Sequence, residues 1–154
     1  MTAIPPRWPD VYAALLAGLP ELPAFAGVSV FDGEPVTADA PTAWVTVGFV
    51  TDEGAGTFQQ VPDTSGFGTV EVGDIRCHIA TNAGDTDMTV TRNRAFALLA
   101  AWQGWVFNNP TLDGRVPGCE LVNLSAQVET VQNPQGSATG LVVTVSYQAT
   151  TFIA

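Results

Sequence analysis

The segment Leu121–Phe152, Leu-Val-Asn-Leu-Ser-Ala-Gln-Val-Glu-Thr-Val-Gln-Asn-Pro-Gln-Gly-Ser-Ala-Thr-Gly-Leu-Val-Val-Thr-Val-Ser-Tyr-Gln-Ala-Thr-Thr-Phe, decides the fold. In Leu121–Val131 the even positions Val122, Leu124, Ala126 and Val128 are apolar. In Leu141–Phe152 the odd positions Leu141, Val143, Val145, Tyr147 and Ala149 are apolar. A period of two is the signature of a strand with one buried face. Asn133-Pro134-Gln135-Gly136 between the two runs supplies hairpin-loop residues. The C-terminal fifth of the chain is therefore an antiparallel hairpin whose apolar face needs a cover.

The cover lies upstream. Met88, Ala95, Leu98, Leu99, Trp102, Trp105 and Val106 recur at helical spacing and predict a helix over Thr86–Phe107, with Asp85 as its cap and Asp87 favourable to that end. Gly104 weakens its last turn, and Asn108 to Gly118 is turn-rich. A shorter helix is expected over Pro9–Leu19, from Pro9 in the first turn, Asp10 at the positive end of the dipole, and Gly18 with Pro20 closing it. Short strands are expected over Val28–Phe31 and Thr42–Val50, the second with Ala43, Val45, Val47 and Phe49 on one face. Residues 51–67 read as a long loop, and Thr69–Ala80 as a third strand. There Val70 and Val72 are even but Ile75, Cys77 and Ile79 are odd, so Gly73-Asp74 reads as a bulge. The order α-β-β-β-α-β-β is not βαβ alternation. It predicts one α+β domain, a mainly antiparallel sheet with two helices packed against it.

Composition narrows the function. The chain has 154 residues, 46% hydrophobic and only 13% charged, with a formal net charge of −10. That balance excludes disorder, and no stretch approaches the 18 or so uninterrupted apolar residues of a membrane span. Met1–Pro9 carries Arg7 and three prolines and does not read as a signal peptide. Every basic residue is an arginine (Arg7, Arg76, Arg92, Arg94, Arg115). Without lysine there is no phosphate-loop lysine and no Schiff-base amine. The net charge has the wrong sign for gripping nucleic acid or an anionic membrane. Residues 1–77 hold ten carboxylates against two arginines, so that half presents a negative field. A GC-rich genome explains arginine over lysine, but not the low total charge. So few charges on so apolar a chain points to a surface covered by copies of itself or by partners.

No catalytic constellation stands out. Cys77 and Cys119 are 42 residues apart, and a disulfide is not expected without secretion. Cys77 shares a face with Ile75 and Ile79 and is expected to be buried and inert. Cys77-His78 cannot ligate one metal from adjacent strand positions, which point to opposite faces. His78 is the only histidine, no Gly-x-Ser-x-Gly elbow is present, and it reads as an outward strand residue. Of the carboxylate pairs, Asp85/Asp87 is explained by capping and Asp52-Glu53 by a solvated loop. Gly66-Phe67-Gly68 lacks the rest of a dinucleotide fingerprint, and the sequon Asn123-Leu124-Ser125 has no consequence without secretion. No enzyme, cofactor or metal is expected. The segment 51–67 remains: Asp52 and Glu53 open it, Phe58 and Val61 are apolar, and Gln59-Gln60 offer amides to an exposed backbone edge. These six are the candidate assembly interface, in a segment expected to be mobile alone and ordered against a neighbour.

The short helix 9–19, the paired strands with the loop at 51–67, the long helix 86–107 and the final Asn-Pro-x-Gly hairpin with its strand 141–152 together resemble the tail terminator proteins of long-tailed bacteriophages. The resemblance covers nearly the whole chain in element order, size and composition, and rests on no diagnostic motif. It implies a homohexameric ring in the virion, assembled in the host cytoplasm, that caps the head-proximal end of the tail tube. Its partners would be itself, the tail tube protein and a neck or head-completion protein. Genomic DNA would pass through a negative lumen without adhering. A head–tail connector or minor tail protein would share the low charge. A small-ligand-binding or hydrolytic α+β domain is the reading from another class, and should be monomeric or dimeric with a deep apolar pocket.

Overall fold

A computed structural model describes residues 4–33, 42–49, 54–64, 66, 68–84, 87–133 and 136–152. Helix α1 (Trp8–Gly18) leads through two 3₁₀ turns, Leu19–Glu21 and Pro23–Phe25, to strands β1 (Ser29–Asp32) and β2 (Ala43–Val47). Strands β3 (Gly56–Pro62) and β4 (Gly68–Ala83) follow, then helix α2 (Met88–Asn108) and the hairpin β5 (Cys119–Asn133) and β6 (Gly136–Phe152). The sheet runs β1-β2-β4-β6-β5, with β3 also pairing with β4. β6 lines one edge of β4 from Gly68 to Ala83, so β2 and β3 share the other, opposite Cys77–Thr81 and Thr69–Ile75 respectively. Only β1 and β2 pair in parallel; every other pairing is antiparallel. This is the expected α+β sheet with two helices against it.

Both helices cover one face. Ile75, Cys77 and Ile79 of β4 and Leu141, Val143, Val145 and Tyr147 of β6 are buried there with Val11 and Leu15 of α1 and Ala95, Leu98, Leu99, Trp102, Trp105 and Val106 of α2. The apolar stripes read from the sequence are this core. A buried threonine cluster fixes where α2 begins. The Thr81 hydroxyl donates to the Thr91 carbonyl oxygen at 2.8 Å, and the Thr91 and Thr139 hydroxyls bond at 3.1 Å. The cap of α2 is Asp87, whose Oδ1 accepts from the Thr89 N–H at 2.9 Å, and not Asp85, which lies outside the described residues. Gly104 sits near the end of α2, which runs on to Asn108 with its neighbours Trp102 and Trp105 buried in the core.

Three expectations are corrected. Residues 51–67 are not a continuous loop: Gly56–Pro62 is a strand paired with Thr69–Ile75, and this adds a fourth strand before α2. Gly73-Asp74 is not a bulge, since β4 and β6 keep register through all 16 positions of β4. The parity of β4 does not change. Glu71 and Gly73 occupy the helix-facing positions that aliphatic residues fill further along, while Val72 points away and is exposed. The irregularity lies instead between Leu121 and Asn123 of β5. It leaves Leu121 and Leu124 both buried and Val122 exposed, breaking the even-position stripe.

Gly73 is required by a close approach. A β-carbon there would lie 2.6 Å from the Tyr147 hydroxyl oxygen and 2.7 Å from the Thr57 carbonyl oxygen. Gly73→Ala must displace backbone or a buried ring, and should cost about 1–3 kcal/mol. A lowered denaturant midpoint at unchanged slope checks it; a midpoint equal to wild type would show that the site has room.

Candidate assembly surface

Strand β3 forms because Thr57, Phe58 and Val61 favour extended backbone and β4 offers a free edge beyond the end of β2. Little packing holds it, since Thr57, Phe58, Gln59, Val61 and Pro62 are all exposed. Hydrogen bonds do the fastening. The Thr57 N–H donates to Asp74 Oδ1 at 3.0 Å, and the Trp8 indole N–H donates to the Asp74 carbonyl oxygen at 2.8 Å. Trp8 lies against Gly56, where a β-carbon would sit 3.0 Å from its Nε1.

The centre of this fastening is Glu71, a carboxylate only 2% exposed. The Arg7 backbone N–H donates to Oε1 at 3.0 Å and Oε2 at 2.9 Å. The Gln60 amide donates to Oε1 at 3.0 Å, and the Tyr147 hydroxyl to Oε2 at 2.6 Å. Three donors from the start of α1, from β3 and from β6 thus converge on one side chain of β4. Burying a carboxylate costs several kcal/mol. Each hydrogen bond to a charged group returns about 1.5–3 kcal/mol, so the set offsets the burial only when all three donors are in place. Burial, and then the bond to Glu71, raises the Tyr147 hydroxyl well above the ordinary tyrosine range, keeping it a donor. No single motif announces Glu71. Its one sequence signal is a carboxylate at an inward position of an otherwise apolar strand face.

The sequence-derived interface residues separate. Asp52 and Glu53 lie outside the described residues. Phe58, Gln59 and Val61 are exposed on β3, Phe58 by 50% and Val61 by 43%. Gln60 differs: its amide is bound inside the subunit, to Glu71 and at 3.4 Å to the Ile4 carbonyl oxygen. Its amide N–H groups are taken up within the subunit. Gly56–Pro62 of the segment is paired as a strand with β4 within the single subunit.

Three borders of the sheet lack a strand partner among the described residues, the far edges of β3 and β5 and that of the four-residue β1. β5 is 15 residues long and carries just two charges, Glu120 and Glu129, with Val122 and Val128 about half exposed. At this end a groove of about 420 Å³ is lined by residues of β3, β4, β6 and β5, from Gln59 to Val122.

The chemical candidates are structural. Cys77 and Cys119 are buried, unbridged thiols. Burial pushes Cys77 up to about 12, and Cys119 is also raised, chiefly by burial and against the pull of Arg7. His78 is half-buried, stacked on Phe49 with ring centroids 4.5 Å apart and pressed against Gly140. The Tyr12 hydroxyl lies 2.5 Å from Asp32 Oδ1 and 2.8 Å from the Val47 carbonyl oxygen. Burial foremost, then Asp32, raises it. Among the described residues no group of three His, Cys, Asp or Glu side chains could hold a metal ion.

These shifts set the response to alkali. The unfolded chain releases the Cys77 proton near 9.0, whereas the folded chain holds it to about 12. The folded state therefore binds more protons between those values, and stability present below pH 9 is lost as pH rises through the window. Tyr12 and Tyr147 act in the same direction above pH 10.0. Unfolding free energy should fall by about 1.4 kcal/mol per pH unit for Cys77 above pH 9. Denaturant titrations at pH 8 and 10.5 measure it; equal stabilities would contradict the burial of these groups.

No protein-family model and no curated protein matches the chain. Among solved structures, a chain of the "Virion of native gene transfer agent (GTA) particle" is similar, with 18% identity over 90% of this chain and 98% of that one and a TM-score of 0.43. A likeness at that level decides neither partner nor role.

Proposed function

We propose that this chain is a structural virion protein of a long-tailed bacteriophage. It forms a ring that caps the head-proximal end of the tail tube, ends tube polymerisation and presents the surface that the neck binds. The observation that carries this reading is the pair of sheet borders at β3 and β5 that no described strand covers. Proteins that live alone blunt such edges with charge, proline, bulges or a covering loop. β3 carries no charge and only Pro62 at its end, and the 15 residues of β5 carry two charges and one irregularity. Edges of that character are templates for pairing with another chain.

The low charge density agrees, as do the exposed Phe58, Val122, Val128 and Phe107, with Phe107 58% exposed. The chemistry of the described residues supports a role that is not enzymatic: the buried carboxylate is consumed by structural donors and the thiols are shielded. A ring lumen of net-negative subunits would let DNA pass without adhering. Such a protein works within the virion at the tail–neck junction. Its partners are copies of itself, the tail tube protein and a neck or head-completion protein, with no cofactor.

Mixing the purified 16.1 kDa chain with the tail tube protein of its own particle should give a closed species containing six copies, resolved by light scattering with size separation. A chain that stays monomeric at high concentration and with tube protein present would overturn the reading.

A further inference from the structure

We infer that the β5 edge of one copy pairs antiparallel with the β3 edge of the next, so that the sheets of the ring join into one continuous closed sheet. The inference rests on the ring reading and specifies its contact. The first observation is placement. β3 and β5 lie on opposite borders of the four-strand layer β3-β4-β6-β5, in which every pairing is antiparallel. The alternation makes β3 and β5 run in opposite directions. Setting β5 beside a rotated copy's β3 therefore continues the alternation and keeps both helices on the same side. A head-to-tail contact between two different edges is the kind that closes a ring.

The second observation is charge. A self-paired β5, antiparallel about Leu124 and Ser125, brings Glu120 of each copy opposite Glu129 of the other, and like charges directly opposite are destabilising. β3 is Gly-Thr-Phe-Gln-Gln-Val-Pro and has no charge of its own to repel the glutamate it faces; its seven residues reach Glu120 or Glu129 but not both. In a chain of net charge −10, β3 is the border that an acidic edge can approach. A groove of about 420 Å³ lies across residues of all four strands. The alternative border, β1, has four residues and ends in the exposed Asp32.

Cross-linking tests the pairing. Gln59 and Asn123 are both exposed, and register sets both on the helix-free face, opposite Val72 and Ser146. Gln59→Cys and Asn123→Cys are made singly and together, assembled on tail tube protein, treated with a flexible bis-maleimide and run denatured, with assembly mass measured in parallel. The native thiols are buried and do not compete in the folded protein. The double variant should give covalent multimers beyond the dimer, up to the full ring, and neither single variant should give a dimer. An assembled ring whose double variant does not cross-link overturns the edge pairing and leaves the ring standing. Dimers from Asn123→Cys alone, or from Gln59→Cys alone, overturn it in favour of self-paired edges. If the wild type forms no ring, the ring reading falls and the pairing with it. Should the double variant fold but not assemble where wild type does, Thr57→Cys with Ser125→Cys on the same two borders is read by the same criteria.

Discussion

The antiparallel ladder between β4 and β6 is the constraint on which the other elements depend. It holds register from Gly68 opposite Phe152 to Ala83 opposite Ser137 without a break. One edge of β4 carries β2 and then β3, and the far edge of β6 carries β5, so every strand but β1 is one step from the ladder. Its helix-facing side chains, Ile75, Cys77, Ile79, Leu141, Val143 and Val145, are the floor on which α1 and α2 pack. Each of the five aliphatic side chains among them contributes about 1.5–3 kcal/mol on burial. A slip of one residue would turn the whole set to the opposite face. Register is therefore fixed by the core and passed outward to the borders.

Where the aliphatic floor runs out, polar chemistry takes over. Towards Gly68, the helix-facing positions of β4 are Gly73 and Glu71, and the layer is held by Tyr147, Gln60 and the Arg7 backbone converging on one carboxylate. Arg7 also donates to the Pro117 carbonyl oxygen at 3.0 Å, so the same entry to α1 reaches the turn that precedes β5. Its ion pair with Asp10 is partly exposed and adds little. The open border of β3 lies at this end, while that of β5 begins here and runs on along β6. The polar fastening sets β3 against β4 while leaving its far edge and most of its side chains uncovered.

Much of this was legible in the sequence because apolar periodicity is a direct image of the core. The α2 stripe from Ala95 to Val106, the odd positions of β6 and the burial of Cys77 beside Ile75 and Ile79 all follow from spacing. What was not legible has a common cause, in that the signal lay outside apolar patterning. β3 was hidden because Gly54 and Gly56 resemble loop residues and an exposed edge strand needs no buried face. The apparent bulge at Gly73-Asp74 arose because a buried glutamate and a glycine stand where alternation calls for aliphatics. Asp87 rather than Asp85 caps α2, a shift of two residues among similar side chains. Of the interface residues, Gln60 could not be separated from Gln59 without knowing that Glu71 points inward.

The central claim is that the borders of β3 and β5, uncovered among the described residues, are filled in the assembly, and amide hydrogen exchange reports on that directly. Exchange is followed residue by residue in the free chain and in the chain assembled with tail tube protein. β4 and β6, with ladder partners on both sides, should be protected in both states. Edge-facing amides of β3 and of Cys119–Asn133 should exchange quickly in the free chain and slow by at least tenfold on assembly. Assembled particles in which both borders exchange as fast as in the free subunit would contradict the account.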